Sequence, residues 1–537
     1  MNLKIFLFLL ICVSPAMFAQ QDAWVYFSDK ENVEVSIQNP SAILSQQAIA
    51  RKKAHQIAID SRDVPVNESY IALLKATRGI TVLAKSKWMN AVHVRGEASD
   101  IAILLDLDFV ASIDFANKDL AVLSRARVQQ DKFAIEAGLE DFTYGSTQNQ
   151  VNMINVDALH LENYTGEGII IAVFDGGFPN VNTMAAFSRL RNNNRLLGGY
   201  DFVNKTPAIY ESTRSSHGTK VLSTMAGYVE NKFVGTAPDA SYYLFRTEEV
   251  ASENPVEESY WVEAAERADS LGVHIINSSL GYNTFDNASY NYVPSEMNGT
   301  TTFISRGATI ASQKGLLVVN SAGNSGNEPW GIVTAPADAS GVFTVGAVNA
   351  NGLYAAFSSR GNIFQPSQKP DVVAQGSGPN VISETGDIII NSGTSFSAPI
   401  IAGGLACLWQ ALPNANAEEI KQFVRLSASQ YRAPDYFLGF GIPDFQLALS
   451  SGLSITEIDL PKFKVYPNPV VNRLYFRVPD RSEVRILKVY DAVGKIIIEQ
   501  SYSKTQSGLD VSHLASGLYT LSVISNNSAF NFKFIKS

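Results

Sequence analysis

The chain is poor in cysteine, in charge and in long apolar runs. Only two of its 537 residues are cysteine, Cys12 and Cys407. Cys12 lies in an N-terminal apolar stretch expected to be removed. The mature chain then lacks the second thiol for an internal disulfide, which excludes a disulfide-stapled scaffold. Cys407 sits in an apolar stretch and reads as a small core residue rather than a reactive thiol. Charged residues make up 17% of the chain and the net charge is −9. That deficit of basic charge argues against a nucleic-acid partner and suits a soluble exported protein. Beyond the N-terminus no apolar run is long enough to cross a bilayer. The 46% hydrophobic content is nevertheless that of a globular chain.

The N-terminus itself has a basic start at Lys4, a short apolar core and small residues at Ala16 and Ala19. Residues 1–19 therefore read as a secretory signal peptide. Cys12 lacks the small-residue context of a lipoprotein cleavage site, so no lipid anchor is expected.

Four changes of pattern follow. Residues 23–119 mix short strands and helices in a β-α-β-β-α-β order, a small α+β ferredoxin-like layout. Residues 117–149 are polar and weakly patterned. From Val151 strands alternate with helices, which implies a parallel sheet with helices on both faces. Within it, a helix over 261–271 and a strand over 168–174 are expected. After a linker, residues 461–537 carry several short strands bounded by turn residues, as in a small β-sandwich.

One stretch of the α/β region carries chemistry. Gly393-Thr394-Ser395-Phe396-Ser397-Ala398-Pro399 is a tight turn opening onto an apolar helix. Ser395 falls at the helix N-terminus, where free N–H groups favour a developing anion. Pro399 is expected in a first helical turn, where its missing N–H has no partner. By itself Ser395 is an ordinary helix cap. A serine nucleophile needs a base and a group that fixes the base's tautomer. Of six histidines, His217 alone stands between a loop and an apolar helix and is followed by glycine. Asp175 ends an apolar strand at Gly176-Gly177, where a buried carboxylate needs a partner; a helix-capping role is the alternative. Asn324, after Ala322-Gly323 at another strand end, offers an amide to an oxyanion or is a plain turn residue.

The order Asp, His, Ser is one of those known for this triad on an α/β fold. The four stretches around Asp175, His217, Asn324 and Ser395 together resemble the signatures of the subtilisin-like serine peptidases, the subtilases. The resemblance covers residues 144–449. It implies a secreted serine endopeptidase that acts through an acyl-enzyme, with Ser395 as nucleophile, His217 as general base and acid, Asp175 as orienting carboxylate and Asn324 as oxyanion donor. It also implies that Ser279, Leu280 and Gly281 pair with the substrate backbone, and that Ser321, Ala322 and Gly323 wall the pocket for the side chain before the cut. Its substrates are proteins or peptides; no cofactor is required, and structural calcium has no assignable ligands. The chain departs from the family at Gly176, where a hydroxyl residue usually follows the aspartate, and in a long Asn-, Thr- and Tyr-rich segment over 282–306.

The flanks then resemble known companions of this domain. Residues 20–120 resemble the subtilase propeptide, which chaperones and inhibits its own enzyme. The blocks Val465-Tyr466-Pro467-Asn468-Pro469, Tyr490-Asp491-Ala492-Val493-Gly494-Lys495 and Gly517-Leu518-Tyr519 resemble the C-terminal sorting domain of type IX secretion; a carbohydrate- or protein-binding sandwich is the alternative. The expected organisation is signal peptide 1–19, propeptide 20–120, linker 121–143, subtilisin-like three-layer α/β domain 144–450, linker 451–460 and sorting domain 461–537. It implies passage through the periplasm to the medium or the outer cell surface, with the type IX machinery as partner. From another class, an inactive surface-bound peptide-binding protein or adhesin would keep the cleft without the chemistry.

Overall fold

In the computed structural model the described residues are 20–120, 142–453, 464–466, 468–477, 484–491, 495–501, 508–525 and 529–537. The expected signal peptide and most of both expected linkers lie outside them. Residues up to 453 form one compact unit and residues 454–537 a second.

The first unit opens with β1 (Gln21–Phe27), α1 (Val33–Gln38), α2 (Gln46–Ala54), α3 (Glu68–Ala76), β2 (Thr81–Ser86), β3 (Ala91–Gly96), α4 (Ala98–Ala102) and β4 (Val110–Phe115). Its four strands pair antiparallel in the order β2-β3-β1-β4, as the ferredoxin-like layout requires. Alternation gives β1 two faces. Val25 and Phe27 join Ile71 and Leu74 of α3 in a local core. Trp24 packs instead with residues of the large domain that follows.

That domain runs α5 (Gln148–Asn152), α6 (Val156–Leu161), β5 (Ile170–Asp175), α7 (Ser188–Asn192), β6 (Leu196–Asp201), α8 (His217–Ala226), β7 (Tyr228–Val229), β8 (Phe233–Val234), β9 (Ser241–Arg246), α9 (Val256–Leu271), β10 (Ile275–Ser278), α10 (Phe303–Gln313), β11 (Leu317–Ser321), β12 (Phe343–Val348), β13 (Val372–Gln375), β14 (Ser377–Ile382), β15 (Ile388–Ser392), α11 (Thr394–Ala411), α12 (Ala417–Ser427) and α13 (Phe445–Leu453). Seven strands form one parallel sheet in the order β13-β12-β11-β10-β5-β9-β6. Ile170, Ala172 and Phe174 of β5 pack with residues of α9 and α10. The intervening Ile171 and Val173 face the other side, where α8 and α11 touch each other and the sheet. Buried on both faces, β5, β11 and β12 are largely apolar runs.

Three details differ from the sequence reading. The strand of β5 starts at Ile170, because Gly168 takes φ +80°. Helix α9 begins a turn earlier than Trp261. Its polar Glu257, Glu258, Glu266 and Asp269 are buried: β2 and α2 of the N-terminal part cover Glu266 and Asp269, while Glu257 and Glu258 are bonded within the large domain. Pro399 is the sixth residue of α11, beyond the first turn. Cys407 is buried and unpaired within the same helix.

The second unit holds β16 (Lys464–Tyr466), β17 (Arg473–Arg477), β18 (Val484–Tyr490), β19 (Ile496–Ser501), β20 (Gly508–Asp510), β21 (Gly517–Ser525) and β22 (Ala529–Lys536). They form antiparallel sheets ordered β16-β17-β20 and β19-β18-β21-β22. Leu474, Leu487, Val489, Leu521, Val523 and Phe534 close a core of their own.

Candidate active site

Ligand chemistry in an open parallel sheet gathers beyond the carboxyl ends of the strands. Three neighbouring strands, β5, β10 and β11, end there at Asp175, Ser278 and Ser321. The start of α11 is bonded to the residues that follow β10 and β11.

Asp175 is 1% exposed. One carboxylate oxygen accepts the N–H of Gly176 at 2.8 Å. Both oxygens lie 2.9 Å from Nδ1 of His217, the first residue of α8. Gly218 permits this approach: a Cβ there would stand 2.6 Å from the Gly177 carbonyl and 2.8 Å from Cβ of Asp175. The imidazole is about one-third exposed and packs beside the ring of Phe396. Burial disfavours its protonation, but the Asp175 charge and hydrogen bond outweigh burial and hold its pKa above the ordinary value. Among the described residues no side chain is bonded to its Nε2.

Ser395 is the second residue of α11. Its hydroxyl donates to the Ser279 carbonyl at 3.4 Å, not to His217. In the reverse direction Ser279 Oγ donates to the Ser395 carbonyl at 2.9 Å. That carbonyl is free for it because Pro399, four residues on, has no N–H.

Asn324 is oriented by Thr394. Its side-chain oxygen accepts both the N–H and the Oγ1–H of Thr394 at 2.9 Å, while Thr394 Oγ1 accepts the N–H of Gly323 at 3.2 Å. The amide Nδ2 therefore faces away from Thr394, and a Cβ on Gly393 would lie 3.6 Å from it. Gly393 itself adopts φ 154°, which suits glycine.

The expected substrate-binding segments are close by. Ser279 is buried and engaged with Ser395, so its side chain serves α11. The Leu280 carbonyl accepts Asn320 Nδ2 at 2.9 Å, and Gly281 is exposed. Ser321 and Ala322 are buried, whereas Gly323 reaches the surface at φ +102°. Sequence reasoning missed Thr334, whose buried hydroxyl lies between these segments. It stands 2.1 Å from a Cβ built on Gly281 and 3.3 Å from one on Gly323. It also missed Thr394, whose role follows only from its contact with Asn324. Among the described residues no group of three or more His, Cys, Asp or Glu is placed to hold a metal ion.

Fold and site define a subtilisin-like α/β protein behind a packed N-terminal sheet. The chain belongs to the subtilase family: that family's model matches residues 166–441, just over half of the sequence. The peptidase S8 propeptide domain of Bacteroidota matches residues 22–133, and the secretion system C-terminal sorting domain matches residues 464–537. The chain is 26% identical over 346 residues to the thermostable alkaline protease of Halalkalibacterium halodurans, covering 64% of this chain and 84% of that one. It is 28% identical over 331 residues to subtilisin E of Bacillus subtilis, covering 60% and 75%. Among solved structures, MycP1 with its N-terminal propeptide removed aligns over 58% of this chain and 98% of that one, at 23% identity and a TM-score of 0.45. The protein is thus a serine peptidase of subtilase type made with a propeptide. Its sorting domain marks it for secretion, to the medium or the cell surface. Among the described residues no helix is long and apolar enough to cross a membrane.

Proposed function

We propose that the protein is an endopeptidase whose triad is Asp175, His217 and Ser395, with Asn324 as oxyanion donor. The observation that carries the reading is the hold of Asp175 on His217 Nδ1. It fixes the tautomer that leaves Nε2 as the base. The Ser395 hydroxyl turns from Ser279 to Nε2 and gives up its proton as Oγ attacks the scissile carbonyl. The oxyanion takes hydrogen bonds from Asn324 Nδ2 and the Ser395 N–H. Protonated His217 passes its proton to the leaving amine, and water releases the acyl group by the reverse sequence.

The substrate chain lies along residues 279–281 as an added strand. Gly323 and Thr334 bound the slot for the side chain before the cut. Residues 20–120 occupy the zymogen as propeptide, the domain over 144–450 carries the chemistry, and the activating cut falls between them. Residues 461–537 engage the type IX machinery.

Ser395→Ala is expected to abolish cleavage of casein and the chain's own maturation; retention of either by the pure protein would sink the proposal. The second reading, a peptide-binding protein without catalysis, is favoured only by the turn of Ser395 Oγ toward Ser279. A fluorophosphonate probe separates the two, since only an activated serine is labelled.

A further inference from the structure

We propose that Arg246 is a positioning residue for this reaction: it clamps the turn that presents Asp175 and does the work of the hydroxyl absent at Gly176. The proposal rests on the triad assigned above.

Arg246 ends β9 and stands beside Asp175 in the β5/β9 register. It is 1% exposed. Its Nε donates to the Gly176 carbonyl at 3.2 Å and one terminal nitrogen donates to Asp201 at 3.0 Å; the other lies 3.5 Å from the Glu249 carboxylate. The next residue, Thr247, donates its N–H to the Asp175 carbonyl at 3.2 Å.

The last residue of β9 and the one after it therefore hold two consecutive carbonyls of the turn. The carbonyl of Asp175 shares its peptide unit with the N–H of Gly176, which the Asp175 carboxylate accepts at 2.8 Å. The carbonyl of Gly176 belongs to the next unit. Both peptides that flank Gly176 are pinned, and glycine is the residue whose backbone most needs it.

The far end of the fork is equally fixed. Asp201 accepts the N–H groups of Val203 and Asn204 at 2.9 and 2.8 Å and the Asn204 side chain at 2.8 Å. A guanidinium this deeply buried is costly unless it is paired and bonded. Its planar fork spans the ends of β5 and β6, which a lysine ammonium does not reproduce.

The test has two readouts. In the full chain carrying Ser395→Ala, the pKa of His217 is read by NMR on 15N-labelled histidine. The charged groups facing this ring are Asp175 and Lys220. Arg246→Met is expected to lower the His217 pKa, because a loosened Asp175 supports the imidazolium less. Simple loss of a nearby positive charge would raise it, and that result would overturn the proposal.

In the active enzyme, Arg246→Met is expected to lower kcat about 10–100-fold, the scale of a small misplacement, with KM within about twofold. Arg246→Lys, which carries the test where the methionine variant does not fold, is expected to recover only part. Gly176→Ser added to Arg246→Met is expected to restore kcat and the His217 pKa together. The nearest atoms to a Cβ at Gly176 are Val250 Cγ2 at 3.0 Å and Ser215 at 3.3 Å, and Val250 is exposed enough to shift. A fall in melting temperature with kcat and the His217 pKa unchanged would make Arg246 merely structural. Should the unsubstituted enzyme cleave nothing, the peptidase reading fails, while the NMR measurement still judges Arg246.

Discussion

Ser279 and Ser395 hold each other at the mouth of α11, each hydroxyl donating to the other's carbonyl, at 2.9 and 3.4 Å. The shorter bond exists because Pro399 leaves the Ser395 carbonyl without its helical partner. Ser279→Ala would strand that carbonyl in a buried helix end, at a cost of about 1–3 kcal/mol. Thermal unfolding of the Ser395→Ala chain, with and without Ser279→Ala, measures it. Adding Pro399→Ala supplies the missing N–H and is expected to recover part of the loss. Simple additivity of the two substitutions would show that the carbonyl is satisfied some other way.

The second prediction concerns Asn324. Its amide is aimed by two hydrogen bonds from Thr394. Asn324→Ala is expected to lower kcat about 10²–10³-fold with KM little changed, the range that removing one such donor costs in subtilisin itself. Thr394→Val keeps the amide but loses the hydroxyl that orients it. One hydrogen bond is worth about 1 kcal/mol, so a loss of roughly tenfold or less is expected. Steady-state kinetics on one peptide amide ranks the three proteins; Thr394→Val equal to Asn324→Ala would contradict the orienting role.

The third follows from His217. In the proposed role of general base it works only when neutral. Because Asp175 holds its pKa above the ordinary 6.5, kcat/KM should rise with pH along an acid limb centred above that value. Asp175→Asn removes the charge and should move the limb down while lowering kcat. The same shift has the opposite sign for stability. The Asp175–His217 pair stabilises the fold fully below the unfolded pKa and loses that contribution as pH rises through the folded one. Paired pH–rate and pH–melting profiles check both signs.

The fold and the four site stretches were legible because each is local. Asp175 and Asn324 follow apolar strands, and His217 and Ser395 open apolar helices. Turn chemistry marks all four. What stayed hidden is pairwise and distant in sequence. Nothing near Arg246 announces that its guanidinium reaches Gly176, or that Asp201 anchors it. Thr394 sits inside the readable Gly-Thr-Ser stretch, yet its role depends on an amide about seventy residues away. The polar face of α9 reads as solvated until the N-terminal sheet is placed on it. The β14–β15 hairpin before Ser395 carries too few apolar alternations to stand out.

The same covered helix yields a prediction about maturation. Asp269 of α9 pairs with Arg51 and, at 2.8 Å, with Lys52 of α2, and all three side chains are at most 2% exposed. Removing one partner of a buried ion pair costs about 3–5 kcal/mol; here Arg51 loses its carboxylate, while Lys52 keeps Asp63 at 3.1 Å. Asp269→Ala is therefore expected to lower the melting temperature of the Ser395→Ala zymogen and to slow maturation of the active chain. Burial raises the pKa of Asp269, but Lys52 and Arg51 outweigh it and hold it at about 2. A depressed carboxylate stabilises fully above its unfolded pKa of about 3.9 and loses that only as pH falls toward the folded value. Docking of the N-terminal sheet through Asp269 should thus persist down to about pH 4, read by melting profiles in acid.

The last prediction separates sorting from catalysis. Leu474, Leu487, Val489, Leu521, Val523 and Phe534 are each 0% exposed within the second unit. Residues up to 453 have their own cores and do not need these side chains. Deleting residues 461–537 should leave cleavage of casein per molecule unchanged and trap the chain in the periplasm of a bacterium that has type IX machinery. Leu521→Asp buries a charge in that core and should give the same phenotype, because a carboxylate without a partner there is far more costly than a small domain tolerates. Immunoblots of periplasm, cell surface and medium, with activity measured on each fraction, decide the matter. Normal export of either variant would mean that the β-strand unit is dispensable for secretion.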